Sequence, residues 1–423
     1  MIALTLRPLL RGIASSLIAL KLRQTLPGGP AAGLVVAHLS DLHLCAGTTM
    51  EGGLPADEVV RAARAALDWC FEQRPDLVVL SGDITDAGRE EEWQLLHGLL
   101  AGLPPARADR LLIVPGNHDL TITLEAYSET DGRLVLAHEA RCRSFTRHVL
   151  GRVPRDAAFH GERSGSLREM LERCEDYAFA YDRLPPRLGT QREQWRGLGA
   201  QLRQMMRRGD RARSRRPRDL TEYVPPVMVP DALATEAARD RGTPWPTADR
   251  PLYLDLLALI YPMTLYESPS HVVIGLNSNT IPAVSIVDGA IGMLGRGQLD
   301  RLEALLRSRS GKCAILVVHH HLGCPPEILA RLQVSPLELK VLQLADTARL
   351  RRVLAGHASV VVLHGHKHVG YWADLDRIHV ISAPSVAYGN RAGTDNCHVY
   401  AIGADGQVSL VASTRVSTRP DTG

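Results

Sequence analysis

Five short apolar segments of this sequence each end in residues that can bind a metal ion. Residues 34–39 lead directly into Ser-Asp-Leu-His, and residues 110–114 lead into Pro-Gly-Asn-His-Asp. Apolar runs of this length predict buried strands. Because the carboxyl ends of parallel strands meet at one edge of an open sheet, we expect these polar residues to lie together. The candidate metal ligands at the five strand ends are Asp41, His43, Asp83, Asn117, His319, His366 and His368.

Segments with helical spacing of apolar residues lie between the strands. Residues 57–71 repeat apolar side chains on one face and begin with two acids, which a helix N-terminus favours. Residues 89–100 are predicted to form a second helix. Strands that alternate with helices indicate an α/β fold. The same alternation returns with strands at 271–276, 313–318 and 359–363, helices at 297–306 and 346–354, and short strands at 378–381, 398–402 and 407–411.

The alternation is interrupted between about 121 and 250. This segment is rich in arginine, with helical patterns in parts and many prolines later, and it predicts an inserted, mostly helical subdomain. Its position directly after Asp119 and Leu120 would bring it close to the strand ends. The predicted organisation is a basic amphipathic extension and linker at 1–33, an α/β domain at 34–120 and 251–412, an Arg-rich helical insertion or lid at 121–250, and a disordered tail at 413–423.

Composition and charge indicate the cellular compartment and the partners that the protein would bind. Seven cysteines, an odd count without a Cys-x-x-Cys pair, indicate reduced thiols and a cytoplasmic protein. A net charge of +3 favours no particular partner, and the arginine run at 203–218 is more typical of a solvated face than of nucleic-acid binding. No apolar run reaches the roughly 18 residues of a membrane span. Residues 1–24 are basic and amphipathic, so they form either an additional helix or a peripheral membrane contact.

The types of ligand predict the kind of metal centre. Histidine nitrogens, carboxylates and one amide form a mixed set that suits Mn, Fe or Zn, with Co and Ni as alternatives. Seven ligands are too many for one ion, but they suit two ions about 3.5–4 Å apart that share a carboxylate. The sequence therefore predicts two divalent or mixed-valence transition metal ions.

Five motifs in this order identify a family resemblance. As a set they resemble the five blocks of the calcineurin-like metallophosphoesterases, and the histidine triplet 319–321 places the chain nearest the cyclic-nucleotide phosphodiesterase-like branch. The resemblance implies a two-sheet β-sandwich flanked by helices on both outer faces. The motifs are Asp41-x-His43, Gly82-Asp83-x-x-Asp86, Gly116-Asn117-His118-Asp119, a histidine that ends a later strand, and Gly365-His366-x-His368.

The resemblance also implies a role for each residue. Asp41, His43 and His368 would hold the first ion, Asn117, His319 and His366 the second, and Asp83 would bridge them. His320 is an alternative to His319. His118 would point at the leaving group and act as general acid or stabilise the transition state, and Asp119 would orient His118. Asp86 would only stabilise the turn after Asp83.

The implied activity is a dinuclear metal-dependent phosphoesterase. It would hydrolyse a small phosphodiester or phosphomonoester by a metal-bridging hydroxide, with nucleotide or cyclic-nucleotide diesters favoured. An alternative is a hydrolase of phospholipid or nucleotide-sugar lipid headgroups at the membrane surface. A nuclease, or a scaffold that has kept the fold without catalysis, are further alternatives.

Overall fold

The computed structural model describes residues 33–50, 53–101, 110–120, 141–142, 144–146, 148–149, 257, 261–279, 292–323, 343–390 and 395–417. In chain order the elements are β1 (Leu34–Leu39), α1 (Ala56–Glu72), β2 (Leu77–Leu80), α2 (Glu90–Ala101), β3 (Leu111–Ile113), α3 (Asn117–Leu120), β4 (Met263–Glu267), β5 (His271–Gly275), α4 (Arg296–Arg307), β6 (Cys313–Val317), α5 (Thr347–Ala355), β7 (Val360–His364), β8 (Tyr371–Leu375), β9 (Ile378–Ser382), β10 (Cys397–Ile402) and β11 (Val408–Thr414).

The strands form two mixed sheets. The first has the order β11-β10-β1-β2-β3. In this sheet β1, β2 and β3 are parallel, and β10 runs antiparallel to both of its neighbours, β1 and β11. The second has the order β4-β5-β6-β7-β9-β8, in which β5, β6, β7 and β9 are parallel and the edge strands β4 and β8 are antiparallel. Parallel strands in each sheet bring several carboxyl ends to one rim.

Three apolar layers hold the two sheets and the helices together. The layer between the sheets contains Val36 and Val79 from the first sheet and Ile315 and Val361 from the second. A second layer packs the outer face of the first sheet against α1 and α2. A third packs the other sheet against α4 and α5. Strands buried on both faces explain the continuous apolar runs in the sequence, and the predicted two-sheet sandwich flanked by helices is confirmed.

Two strands and one boundary differ from the sequence prediction. The edge strands β4 and β8 were not predicted, because their half-buried side chains give no continuous apolar run. The last strand, β11, extends to Thr414, so the tail predicted from 413 begins inside a strand. Residues 1–32 and most of the predicted insertion lie outside the described residues. Within the described residues, no helix combines the length and apolarity that crossing a bilayer requires.

A buried carboxylate fixes the loop between β2 and α2. Glu92 in the first turn of α2 is 1% exposed, and its Oε2 atom accepts hydrogen bonds from the backbone N–H groups of Ala87 (2.9 Å) and Arg89 (3.1 Å). Burial raises the pKa of Glu92 to about 7, although these hydrogen bonds partly oppose the shift. Glu92 therefore connects the stability of this loop to pH.

We expect Glu92→Gln to remove a pH-dependent loss of stability. The pKa of Glu92 is raised in the folded state, so the wild-type protein loses stability as the pH rises from about 4.5 to 7. Glutamine keeps an acceptor oxygen without the charge. The variant should match the wild type near pH 5 and exceed it at pH 8 by roughly 1–3 kcal/mol in the free energy of unfolding.

Thermal unfolding at several pH values measures this difference. The exposed neighbour provides the control variant Glu91→Gln. This variant keeps Glu92, so its stability should follow that of the wild type at every pH. Equal pH dependence for both variants would contradict the assignment to Glu92.

Candidate metal centre

All seven predicted ligands meet where the carboxyl ends of strands from both sheets come together. The ligands from the first sheet follow β1, β2 and β3, and those from the second follow β6 and β7. Among the described residues, three groups of side chains have the spacing of a metal site. The groups are Asp41, His43 and His368; Asp83, His319 and His366; and His43, Asp86 and His118.

The first group contains buried polar atoms that face one another. Asp41 Oδ1 lies 3.3 Å from His368 Nε2 and 4.0 Å from His43 Nε2, which is also 3.9 Å from Asp83 Oδ2. Within the described part of the chain, neither Asp41 Oδ1 nor His43 Nε2 has a hydrogen-bond partner. Burial of such atoms without a partner is costly. A cation among them would remove this cost, so the residues fit a metal ion.

The second group converges on one nitrogen of His319. His319 Nδ1 donates a hydrogen bond to the carbonyl oxygen of Ser81 (2.9 Å), so in the neutral ring Nε2 carries the lone pair. This Nε2 lies 3.1 Å from Asp83 Oδ2, 3.0 Å from Asn117 Oδ1 and 3.1 Å from His366 Nδ1. Four atoms able to donate electron pairs to a metal surround one point, and the carbonyl behind His319 orients its ring in the way common for metal-binding histidines.

Asp83 is a member of the second group, and the same carboxylate oxygen also lies 3.9 Å from His43 Nε2 of the first. Its Oδ2 atom faces His43 and His319, while its Oδ1 atom accepts a hydrogen bond from the backbone N–H of His118 (2.9 Å). In the same way, Asp41 Oδ2 accepts a hydrogen bond from the backbone N–H of His366 (3.1 Å). Each carboxylate is therefore held by one oxygen and leaves the other for a cation.

The electrostatics match this arrangement. Burial alone would raise the pKa of Asp83, but His319 and His118 hold it well below its usual range. Burial would lower the pKa of His319, whereas Asp83 raises it to about 9, so the carboxylate favours positive charge beside it. Burial lowers the pKa of His43 and of His366, and the neutral imidazole is the form that binds metals.

Left-handed backbone conformations turn the ligands into the site. Five of the seven predicted ligands have positive φ, a conformation that is uncommon in residues other than glycine but better tolerated by Asp, Asn and His. Such strain is concentrated at functional sites. The residues and angles are Asp41 (56°), His43 (47°), Asp83 (50°), His366 (73°) and His368 (56°).

Two motif glycines make room for the carboxylates. A Cβ atom on Gly116 would collide with the backbone nitrogen and Oδ1 of Asp83, and one on Gly365 would collide with Ser40 and Asp41. These positions require glycine because atoms of other residues occupy the space that a Cβ atom would take.

The hydrogen bonds of Asp119 join two loops, and its predicted role in orienting His118 stays a prediction. Its Oδ1 atom accepts hydrogen bonds from the N–H (2.9 Å) and hydroxyl (2.8 Å) of Thr85, and its Oδ2 atom from the N–H of Gly116 (2.9 Å). His118 instead places Nδ1 2.7 Å from the carbonyl oxygen of Asp86. The carbonyl oxygen of Asp86 therefore helps to orient His118, and Asp119 joins the loops that carry Asp83 and Asn117.

Asp86 contributes more than the structural turn expected from the sequence. Its Oδ1 atom lies 3.4 Å from His43 Nδ1, and its carbonyl oxygen accepts the hydrogen bond from His118. The third group of potential ligands contains Asp86 with His43 and His118. In this group Asp86 holds the two imidazoles in place.

The histidine triplet divides between the metal group and its surroundings. His319 belongs to the group around Asp83, whereas His320 places Nδ1 2.8 Å from Ser278 Oγ, with its ring centroid 4.4 Å from that of His366. This geometry favours His319 over His320 as the ligand. Sequence reasoning missed one aromatic residue at the centre: Tyr388 stacks on His368 and carries no ligand atom typical of metals, so no motif indicated it.

Comparison with known proteins supports the family resemblance. Residues 34–190 match the family model described as calcineurin-like phosphoesterase, which confirms the resemblance inferred from the motifs. The chain is 35% identical over 86 residues to the glycerophosphodiester phosphodiesterase GpdQ of Enterobacter lignolyticus, which covers 20% of this chain and 30% of that protein. It is 32% identical over 91 residues to the cAMP/cGMP dual specificity phosphodiesterase MT0825 of Mycobacterium tuberculosis, which covers 21% of this chain and 28% of that protein.

These matches to curated relatives span less than a third of each relative's length. Among solved structures, a dimetal phosphatase from Danio rerio aligns with 91% of this chain and 97% of its own, with a TM-score of 0.44 and 12% identity.

We expect Gly116→Ala to disrupt the metal centre. The added methyl group would displace Asp83, whose Oδ2 atom faces both His43 and His319, and overpacking of this kind costs about 1–3 kcal/mol or more. The variant should have a lower unfolding temperature and bind less than one equivalent of Mn²⁺ after reconstitution. Gly311→Ala is the control, since a Cβ atom there meets nothing within 4 Å. Full metal binding by Gly116→Ala would contradict the packing argument.

Proposed function

We propose that this protein is a metal-dependent phosphoric ester hydrolase that binds two transition metal ions. The observation that carries the proposal is the position of Asp83 Oδ2, which faces His43 in one ligand group and His319 in the other. One carboxylate oxygen shared by two groups is the arrangement that a two-ion site requires. The match to the calcineurin-like phosphoesterases supports the same reading.

Each ligand group would bind one ion. Asp41, His43 and His368 suit the first, Asn117, His319 and His366 suit the second, and Asp83 serves both. Two bound cations would lower the pKa of a bound water molecule and neutralise negative charge on the phosphoryl oxygens of the substrate. The mixed nitrogen and oxygen ligands favour Mn, Fe or Zn.

His118 is the proposed general acid. Its Nδ1–H group donates to the carbonyl oxygen of Asp86, so the protonated ring has one further proton, on Nε2. The ring lies 4.6 Å from that of His43, measured between centroids, and is only partly buried. His118 therefore stands beside the first ligand group with access to substrate, where it could give the Nε2 proton to the departing oxygen.

A phosphodiester is the favoured substrate. Both curated relatives carry names of phosphodiesterases, one for glycerophosphodiesters and one for cAMP and cGMP, which supports a diester over a monoester. Nucleotide or cyclic-nucleotide diesters remain our first choice. A lipid headgroup substrate has no support among the described residues.

The proposal is tested by metal binding together with hydrolysis. Metal-free protein reconstituted with Mn²⁺ should bind two equivalents and hydrolyse linear or cyclic diesters faster than monoesters. Asp83→Asn should bind fewer ions and lose activity, because it weakens both groups. Asp57→Asn, which alters a carboxylate 72% exposed on α1, should behave as wild type. Binding of less than one equivalent by the wild type, with no hydrolysis of bis-p-nitrophenyl phosphate, would favour a non-catalytic scaffold.

The role of His118 makes a separate prediction. We expect His118→Ala to retain both ions and to lower kcat by about 10²–10⁴, because a general acid is lost while every ligand remains. The loss should grow with the pKa of the leaving-group alcohol, since a poor leaving group needs the proton most. A plot of log kcat against leaving-group pKa measures this. Equal slopes for wild type and variant would assign His118 a different role.

A further inference from the structure

We propose that Tyr388 is a positioning residue that holds His368 in the orientation needed to bind the first ion. The inference rests on the proposed function, because it assumes a cation between Asp41, His43 and His368. It assigns a task to a residue that is neither a ligand nor a proton donor in the mechanism above.

The two rings are in stacked contact. The ring of Tyr388 lies parallel to that of His368, with an interplanar angle of 17° and centroids 4.8 Å apart. It also meets His43 edge to face, at 76° and 5.3 Å. Tyr388 is 39% exposed, so it stands at the solvent side of both imidazoles. One tyrosine ring therefore contacts two of the three side chains proposed for the first ion.

His368 lacks the anchoring that two other imidazoles of the site have. His319 is anchored through Nδ1 to the carbonyl oxygen of Ser81, and His43 Nδ1 faces Asp86. Within the residues that the structure describes, no protein group makes a hydrogen bond to His368 Nδ1, and the side chain is 23% exposed. Metal-binding histidines usually have a partner on the second nitrogen. For His368, the stacked ring replaces that partner by restricting rotation of the imidazole.

The loop that carries Tyr388 is fixed to the ligand opposite His368. The buried hydroxyl of Ser385 donates to the carbonyl oxygen of Asp41 (2.9 Å) and accepts a hydrogen bond from the backbone N–H of Tyr388 (2.9 Å). The N–H of Val386 donates to the carbonyl oxygen of Ser40 (3.1 Å). Ser385 thus fixes the backbone of Tyr388 relative to Asp41. The Oδ1 atom of Asp41 in turn faces His368 Nε2 at 3.3 Å. The stack therefore sets the separation of two ligands that belong to different sheets.

The test compares variants that keep or remove the flat ring. Tyr388→Phe preserves the stack, Tyr388→Leu keeps bulk without the aromatic face, and Tyr388→Ala removes both. Loss of a group that orients a ligand typically weakens metal binding 10–100-fold. We expect this weakening for the Leu and Ala variants at the first ion only, while the Phe variant stays within about twofold of wild type.

Calorimetric titration of the metal-free proteins with Mn²⁺ measures both affinities, without reference to activity. Each Tyr388 variant is also made with Asn117→Ala, which removes a ligand of the second ion and leaves the first to be titrated. Unfolding temperatures of the metal-free proteins verify that the variants are folded.

The outcomes separate the two proposals. Two ions in the wild type and an unchanged first affinity in the Leu and Ala variants would overturn the role of Tyr388 and leave the proposed function intact. Weakening in the Phe variant equal to that in the Ala variant would also overturn it, since the ring would then not matter. A wild type that binds no ion between Asp41, His43 and His368 would overturn both.

Discussion

The contact between Asp83 and His319 joins the two sheets at their polar rim. Asp83 follows β2 in the first sheet and His319 follows β6 in the second, yet Asp83 Oδ2 and His319 Nε2 are 3.1 Å apart and both side chains are buried. Away from this rim, the described contacts between the sheets are mainly apolar, together with one hydrogen bond from His271 Nε2 to the carbonyl oxygen of Ile402 (2.9 Å). The contact between this carboxylate oxygen and this imidazole nitrogen needs a defined separation, so it constrains how the two strand ends face each other.

Several neighbouring features depend on this contact. Gly116 leaves space for Asp83, the backbone of His118 holds its second oxygen, and Asp119 joins the adjoining loops through Thr85 and its own hydrogen bond to Gly116. A buried charge pair contributes little net stability by itself because desolvation opposes it. Its value here lies in geometry, since it brings ligand atoms from both sheets within one ion's reach.

Much of the fold and of the ligand set could be predicted from the sequence, for a physical reason. Parallel strands buried on both faces appear in the sequence as apolar runs, and the residues that follow them meet at one rim, so Asp41, Asp83 and His319 could be expected to lie close together. The hydrogen bonds of Asp119 to Thr85 could not be predicted, because they depend on how two loops that are 34 residues apart in the chain pack together. Tyr388 follows β9 at the same rim, but tyrosine at a strand end carries no metal-binding signal.

The pairing of β1 has a consequence for how the chain is made. Leu34 at the start of β1 pairs with Ile402 near the end of the sequence, while the other edge of β1 pairs with the nearby β2. Synthesis proceeds from the N-terminus, so β1, β2 and β3 leave the ribosome long before β10. During that interval one edge of β1 is open, and the apolar face that later meets the second sheet is uncovered. That edge of β1 stays exposed to misassociation until β10 has been translated, and a product cut before β10 would expose it permanently.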